Sequence, residues 1–62
     1  MPVITFDGGK LDKAQKAELA KVFTENAARV TNIPATAFVV FFKENDPENV
    51  AVGGTLLADR RQ

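Results

Sequence analysis

Hydrophobic and polar side chains alternate near the start of the chain, over residues 3–7. Ile4 and Phe6 would share one face of an extended segment, because successive side chains of a strand point to opposite faces. The opposite face would carry Val3, Thr5 and Asp7. This alternation predicts a short β-strand, which the pair Gly8 and Gly9 is predicted to end.

The next segment has the residues of a helix with defined ends. Asp12 is the predicted N-cap, because Gln15 follows three residues later and completes a capping box. Residues 13–31 contain no Pro or Gly and are rich in Ala, Lys and Glu, which favour helix as Leu19 also does. Asn32 and Pro34 are predicted to stop the helix at about Thr31.

Two stripes run along this predicted helix at spacings of three and four residues, which place their members on the same face. The apolar stripe, predicted to pack on the sheet, consists of Leu19, Phe23, Ala27 and Val30. The charged stripe, predicted to be a solvated and ion-paired face, consists of Glu18, Lys21, Glu25 and Arg29.

Residues 37–42 predict a second strand, and it is apolar on both faces. Phe38, Val40 and Phe42 would point one way, and Val39 and Phe41 the other. Strand, helix and strand form a βαβ unit with parallel strands. Its single helix covers only one face of the sheet, so we expect another subunit to cover the other face.

The C-terminal part predicts a turn and a hairpin. Asn45, Asp46 and Pro47 are turn-forming residues. Two short β-prone runs, residues 50–52 and 55–57, flank a Gly-Gly pair, which predicts a hairpin with a primed turn. Such a hairpin is too small to be stable alone, so we expect it to pair with a sheet edge of its own or a neighbouring subunit. The predicted fold class is α+β: one βαβ unit plus a C-terminal β-hairpin, in a single domain over residues 1–62.

Size and composition narrow the possible functions. The chain has 62 residues and contains no Cys, His, Ser, Tyr or Trp. Their absence excludes a disulfide framework, a His/Cys zinc site and a nucleophile activated by His. Eight basic side chains balance eight acidic ones, which argues against binding to nucleic acid or membranes. We expect an oligomer, because a domain of about 60 residues buries little surface by itself. We also expect a cytoplasmic protein without cofactor or metal.

Few side chains remain that could act as a base, and the chain terminus is the leading candidate. Removal of Met1 would leave Pro2 with a free secondary amine. A typical α-amino group has a pKa of about 7.7–8.0, and burial or a nearby cation lowers such a value. A base whose pKa lies near the working pH is an effective proton shuttle. Pro2 is therefore the predicted general base.

Short motifs along the whole chain resemble the 4-oxalocrotonate tautomerase family. They are Met1-Pro2, Gly9-Lys10, Gln15-Lys16, Leu19, Pro34 and the segment from Pro47 to Gly54. The resemblance implies a βαβ protomer with a terminal hairpin and a hexamer of three dimers or a related assembly. It also implies an N-terminal proline that moves protons in keto–enol conversions of 2-oxo acids.

The resemblance also implies roles for individual positions. Pro2 matches the catalytic proline. Lys10 and Val39 stand where the best-known members have two substrate-binding arginines, the second from a neighbouring subunit, and Val50 stands where they have an aromatic wall residue. In the assembly, Arg60 or Arg61 could replace the cation missing at Val39; the alternative is that both belong to a solvated basic tail. A monocarboxylate with an apolar body suits these residues better than a dicarboxylate such as 2-hydroxymuconate.

The predicted function is a cofactor-independent keto–enol tautomerase acting on small unsaturated 2-oxo acids or enols. The alternative is a catalytically weak or inert oligomeric binding module of the same fold, which the apolar Val39 and Val50 motivate. A third option within the superfamily is hydrolytic dehalogenation. It needs a water-activating carboxylate that faces Pro2. The sequence offers no strong candidate at the expected place, and only Asp7 and Glu44 remain open.

Overall fold

A computed structural model describes residues 1–60 of the chain. The elements, in chain order, are β1 (Val3–Gly8), α1 (Lys13–Thr31), β2 (Val39–Glu44), β3 (Ala51–Val52) and β4 (Thr55–Leu56). Three single 3₁₀ turns lie at Ala35–Ala37, Pro47–Asn49 and Leu57–Asp59. The α+β fold class and the βαβ unit with a terminal hairpin are confirmed.

β1 and β2 form a parallel two-stranded sheet whose strands begin and end together. The register runs from Val3 opposite Val39 to Gly8 opposite Glu44. The strands therefore have no offset, and the residues that precede and follow them lie at two short edges of the sheet. This register determines which candidate site residues become neighbours.

Three phenylalanines hold α1 against one face of this sheet. The ring of Phe6 lies 6.2 Å from that of Phe23 on α1 and 6.1 Å from that of Phe42 on β2, both in tilted arrangements. These separations lie in the range in which aromatic rings attract each other. All three rings are only half-buried, so the core of one chain is thin.

The predicted ends of α1 are confirmed by their hydrogen bonds. The Asp12 carboxylate accepts from the Gln15 N–H at 2.8 Å, and the Gln15 side chain accepts from the Asp12 N–H at 3.1 Å. At the other end Asn32 adopts the left-handed conformation with φ 63°, and its N–H donates to the Ala28 carbonyl at 2.9 Å. Asn tolerates this conformation, which ends helices.

The start of the second strand was predicted too early. Residues 35–37 form a 3₁₀ turn in which the N–H of Ala37 donates to the Pro34 carbonyl at 3.0 Å. The N–H of Phe38 likewise donates to the Ala35 carbonyl at 3.1 Å. β2 therefore begins at Val39, where pairing with β1 becomes possible.

The helix stripes also need correction. Val30 is 72% exposed, whereas Ala27 and Ala28 are half-buried and form the inward face of the last turns. The charged stripe is exposed as predicted. Its ion pairing was wrong, because the one ion pair among the described residues joins Lys16 to Glu44.

The hairpin has the predicted primed turn. Gly53 and Gly54 have φ values of 62° and 87°, which side chains with a Cβ rarely adopt. Positive φ at both central residues is the signature of a type I′ turn. β3 and β4 form a two-stranded sheet separate from β1 and β2. Among the described residues the hairpin therefore does not pair with the sheet of its own chain, as one of the two alternatives required, and pairing with a neighbouring subunit stays a prediction.

The sheet face opposite α1 is uncovered in one chain, and it is apolar near the start of the strands, with Asp7 and Lys43 at its other end. Val3 on β1 and Phe41 on β2 are 53% and 52% exposed. These residues flank Thr5 and Val39 on the same face, as the register requires.

No helix among residues 1–60 is long and apolar enough to cross a membrane.

Candidate functional site

Pro2 and Val39 are neighbours at the edge where both strands begin. The Val39 N–H donates to the Pro2 carbonyl at 3.0 Å, so the proline is fixed by the first hydrogen bond of the sheet. Pro2 is half-buried, while Met1 is 89% exposed. With Met1 attached, the Pro2 nitrogen belongs to a peptide bond and has no basic lone pair.

Lys10 and Val50 line one cavity at the opposite edge of the sheet. Its volume is about 620 Å³. Its other lining residues are Asp7, Gly8, Gly9, Asn45, Asp46, Pro47 and Leu57. The cavity thus combines one cation, two carboxylates and an apolar wall, so its described charged groups sum to a net negative charge.

The four predicted site residues therefore fall into two pairs within one chain. Pro2 precedes β1 and Lys10 follows it, and a six-residue strand separates such positions by about 20 Å at roughly 3.3 Å per residue. A small substrate does not span this distance. Val39 stays with Pro2, and Val50 stays with Lys10.

The remaining candidate residues lie near the cavity edge or in the C-terminal tail. Asp7 and Glu44 both lie at the strand ends far from Pro2. Arg60 is exposed, and its N–H donates to the Leu57 carbonyl at 3.1 Å. Arg61, the other candidate for replacing the missing cation, lies outside the described residues.

Glu44 makes a connection that the sequence analysis missed. Its Oε2 accepts a hydrogen bond from the Leu11 N–H at 3.1 Å and contacts Lys16 Nζ at 2.8 Å. The pKa of the Glu44 carboxyl is lowered from its ordinary value of 4.5, first by the Lys16 hydrogen bond and then by that of Leu11. The end of β2 is thereby tied to the loop that carries Lys10.

This lowered pKa predicts a pH-dependent contribution to stability. A carboxyl whose pKa is lower in the folded state stabilises the fold above its unfolded pKa and loses that effect as the pH falls through the folded pKa. We expect Glu44→Gln to lower the Tm slightly at pH 7, and the difference from wild type to shrink once the pH falls below the ordinary value of 4.5. Thermal unfolding across this range measures the effect. Glu25→Gln, at an exposed helix position, controls for losing one charge, and a Tm difference that persisted in acid would contradict the prediction.

Comparison with known proteins places this geometry in a family. The sequence profile of a family described as Tautomerase enzyme matches residues 2–60, almost the whole chain. The chain belongs to the 4-oxalocrotonate tautomerase family of the tautomerase superfamily. No curated protein sequence matches the chain.

Several solved structures share the fold over almost the whole chain. DmpI from Archaeoglobus fulgidus is 38% identical, with a TM-score of 0.86, and the match covers 94% of this chain and 100% of that one. A 4-oxalocrotonate tautomerase homologue is 27% identical over 100% of both chains, with a TM-score of 0.88. A heterohexamer 4-oxalocrotonate tautomerase from Chloroflexus aurantiacus is 26% identical over 98% of both chains, with a TM-score of 0.83.

Membership in the tautomerase superfamily supports a tautomerase-like function in general. Within one chain, the candidate residues form two separate pairs: Pro2 with Val39, and Lys10 with Val50. In the sequence analysis Glu44 was a candidate only for activating water in a dehalogenation, and its contact with Lys16 was not predicted. The available signal was a Glu at the end of a strand and a Lys near the start of the helix, and only the tertiary fold brings them together.

Proposed function

We propose that this tautomerase is a cofactor-independent keto–enol isomerase of small unsaturated 2-oxo acids, with Pro2 as general base once Met1 is removed. The observation that carries the proposal is the position of Pro2. It is half-buried at the start of β1, and its carbonyl is bonded to β2. The sheet would hold a free Pro2 nitrogen in one place, which general acid–base catalysis requires.

The chemistry needs one proton moved between two atoms of the substrate. The neutral amine of Pro2 would take the proton from the enol oxygen, and the ammonium formed would return it to a carbon of the conjugated system. The reverse reaction starts at the carbon. The pyrrolidine ring prevents free rotation about the N–Cα bond of Pro2, so it limits the directions in which the amine lone pair can point.

Lys10 would bind the substrate carboxylate and stabilise the negative charge that develops in the enolate. Because Lys10 lies about 20 Å from Pro2 along β1 of its own chain, we propose that a neighbouring copy supplies one of the two groups. An oligomer, most simply a hexamer built as a trimer of dimers, would complete the site. The hexameric assembly of the Chloroflexus aurantiacus homologue and the uncovered apolar sheet face support this arrangement.

The charges predict selectivity for one carboxylate over two. Lys10 shares its cavity with Asp7 and Asp46, and Val39 offers no charge to a second carboxylate. A charge-assisted hydrogen bond contributes about 1.5–3 kcal/mol, so its absence costs a dicarboxylate about tenfold to a hundredfold. We expect kcat/KM for the enol of phenylpyruvate to exceed that for 2-hydroxymuconate by about this factor.

Ultraviolet absorbance of the two enols measures this ratio on protein whose intact mass shows Met1 removed. Val39→Arg is the matched variant, since it restores a cation near Pro2 and is expected to improve turnover of the dicarboxylate selectively. Equal rates for both substrates would contradict the selectivity. Processed protein that turned over no enol would favour the alternative of a catalytically inert oligomeric module.

A further inference from the structure

We propose that Glu44 is a positioning residue for Lys10: it fixes the main chain beside Lys10 so that the ammonium group is presented to the substrate carboxylate. This inference rests on the proposed function, in which Lys10 binds that carboxylate. Glu44 itself touches no substrate. It acts through the loop between β1 and α1.

The connection is a long-range hydrogen bond to the residue next to Lys10. The Leu11 N–H donates to Glu44 Oε2 at 3.1 Å, between positions 33 residues apart in the sequence. The same oxygen contacts Lys16 Nζ at 2.8 Å. One carboxylate therefore joins the end of β2, the Lys10 loop and the first turns of α1.

The loop has few other restraints. The Gly8 carbonyl accepts from the Asn45 N–H at 2.8 Å on one side of the loop, and the Asp12 capping box holds the other side. Within the described chain, the Leu11 N–H is the one main-chain group of residues 9–11 for which a hydrogen bond is found. Gly9 has no atom within 4 Å of the place a Cβ would occupy, so packing does not restrain it.

This arrangement would lower the cost of ordering Lys10, which is exposed. Lys10 has a long flexible side chain whose ordering on binding costs conformational entropy. Fixing its Cα position and reducing the loop's freedom lowers that cost before the substrate arrives, which is preorganisation. The negative charge of Glu44 also attracts Lys10 and Lys16, and the charges of both lysines contribute to the lowered pKa of Glu44.

A double-mutant cycle with Lys10→Met tests the proposal. We expect Glu44→Ala to raise KM for the enol of phenylpyruvate about tenfold while kcat stays within about twofold. In the Lys10→Met background the same change is expected to alter KM less than about twofold, because Glu44 would act through a group that is gone. Independent, multiplying effects would show a merely structural role and would overturn the proposal.

Two further variants separate the contacts of Glu44. Glu44→Gln keeps an oxygen that can accept a hydrogen bond from the Leu11 N–H. We therefore expect its KM to lie close to that of the wild type, without most of the increase seen in Glu44→Ala. Lys16→Met removes the ion pair but leaves that hydrogen bond, and we expect KM to change less than about threefold. If Lys16→Met raised KM as much as Glu44→Ala, the ion pair and not the loop contact would control Lys10.

A binding measurement keeps this test independent of turnover. Calorimetry with phenylpyruvate and amide hydrogen exchange at Lys10 and Leu11 both apply to a protein without enol activity. We expect Glu44→Ala to bind phenylpyruvate more weakly and to exchange the Lys10 and Leu11 amides faster, while amide exchange in α1 stays the same. This result would support the positioning role even if Pro2 proved inactive. If Lys10→Met bound phenylpyruvate as tightly as the wild type, the proposal would be overturned.

Discussion

Blocking the Pro2 nitrogen is expected to lower kcat/KM for enols by about 10²–10⁴-fold, the contribution typical of positioned acid–base catalysis. An uncleaved N-terminal extension achieves this, because it turns the amine into a peptide nitrogen without basicity. Pro2→Ala is expected to lose less, about 10²-fold, since the processed chain keeps an α-amino group but loses the ring that directs it. The three proteins to compare are the processed wild type, the protein with the uncleaved extension, and Pro2→Ala. Enol turnover is measured for each of them, and the intact mass establishes the state of each N-terminus.

The control for this experiment is the sheet itself. The Pro2 carbonyl accepts the first hydrogen bond from β2, through the Val39 N–H, and Ala retains that carbonyl. We therefore expect circular dichroism and oligomer mass to match wild type in the Pro2→Ala protein. An extended protein that turned over enols at the processed rate would rule out the amine mechanism.

Phe41→Asp is expected to dissociate the assembly and to remove activity with it. Phe41 is 52% exposed on the sheet face opposite α1, beside the similarly exposed Val3. Burying a phenylalanine contributes about 1.5–3 kcal/mol, and placing a carboxylate in an apolar interface adds a desolvation cost. At 1.4 kcal/mol per decade, we expect the dissociation constant to rise at least about a hundredfold.

Sedimentation and activity measured over a range of protein concentration test this prediction. Activity is expected to fall together with assembly, because Pro2 and Lys10 of one chain cannot meet at one substrate. Val30→Asp is the matched control, since it places the same charge at an exposed valine of α1 and not on the sheet face. A Phe41→Asp protein that stayed assembled would show that the subunits meet through another surface.

The local features of the fold were predictable because they depend on nearby residues. The capping box of Asp12, the left-handed Asn32 and the two positive-φ glycines each follow from the chemistry of one or two side chains. The start of β2 was missed because hydrogen bonds after Pro34 close a 3₁₀ turn over residues that also favour a strand. The exposure of Val30 was missed because helical spacing alone does not reveal where the sheet beneath a helix ends.

The candidate site was predictable only in part. The reactivity of Pro2 was inferred from the lack of other bases, whereas the roles of Lys10, Val39 and Val50 came from the family resemblance. The separation of Pro2 and Lys10 follows directly from the length of β1. The contact of Glu44 with Leu11 was not predictable, because it joins positions 33 residues apart that only the folded sheet brings together.

The equal lengths and unshifted register of β1 and β2 give each subunit two chemically different ends. One end would carry the proton-transfer group and the other the anion-binding group. In the proposed oligomer a complete site would draw one end from each of two subunits, so the two functions could change independently. Two diverged copies of such a chain could therefore divide the work, one keeping an intact Pro2 end and the other an intact Lys10 end, while both retain the same fold.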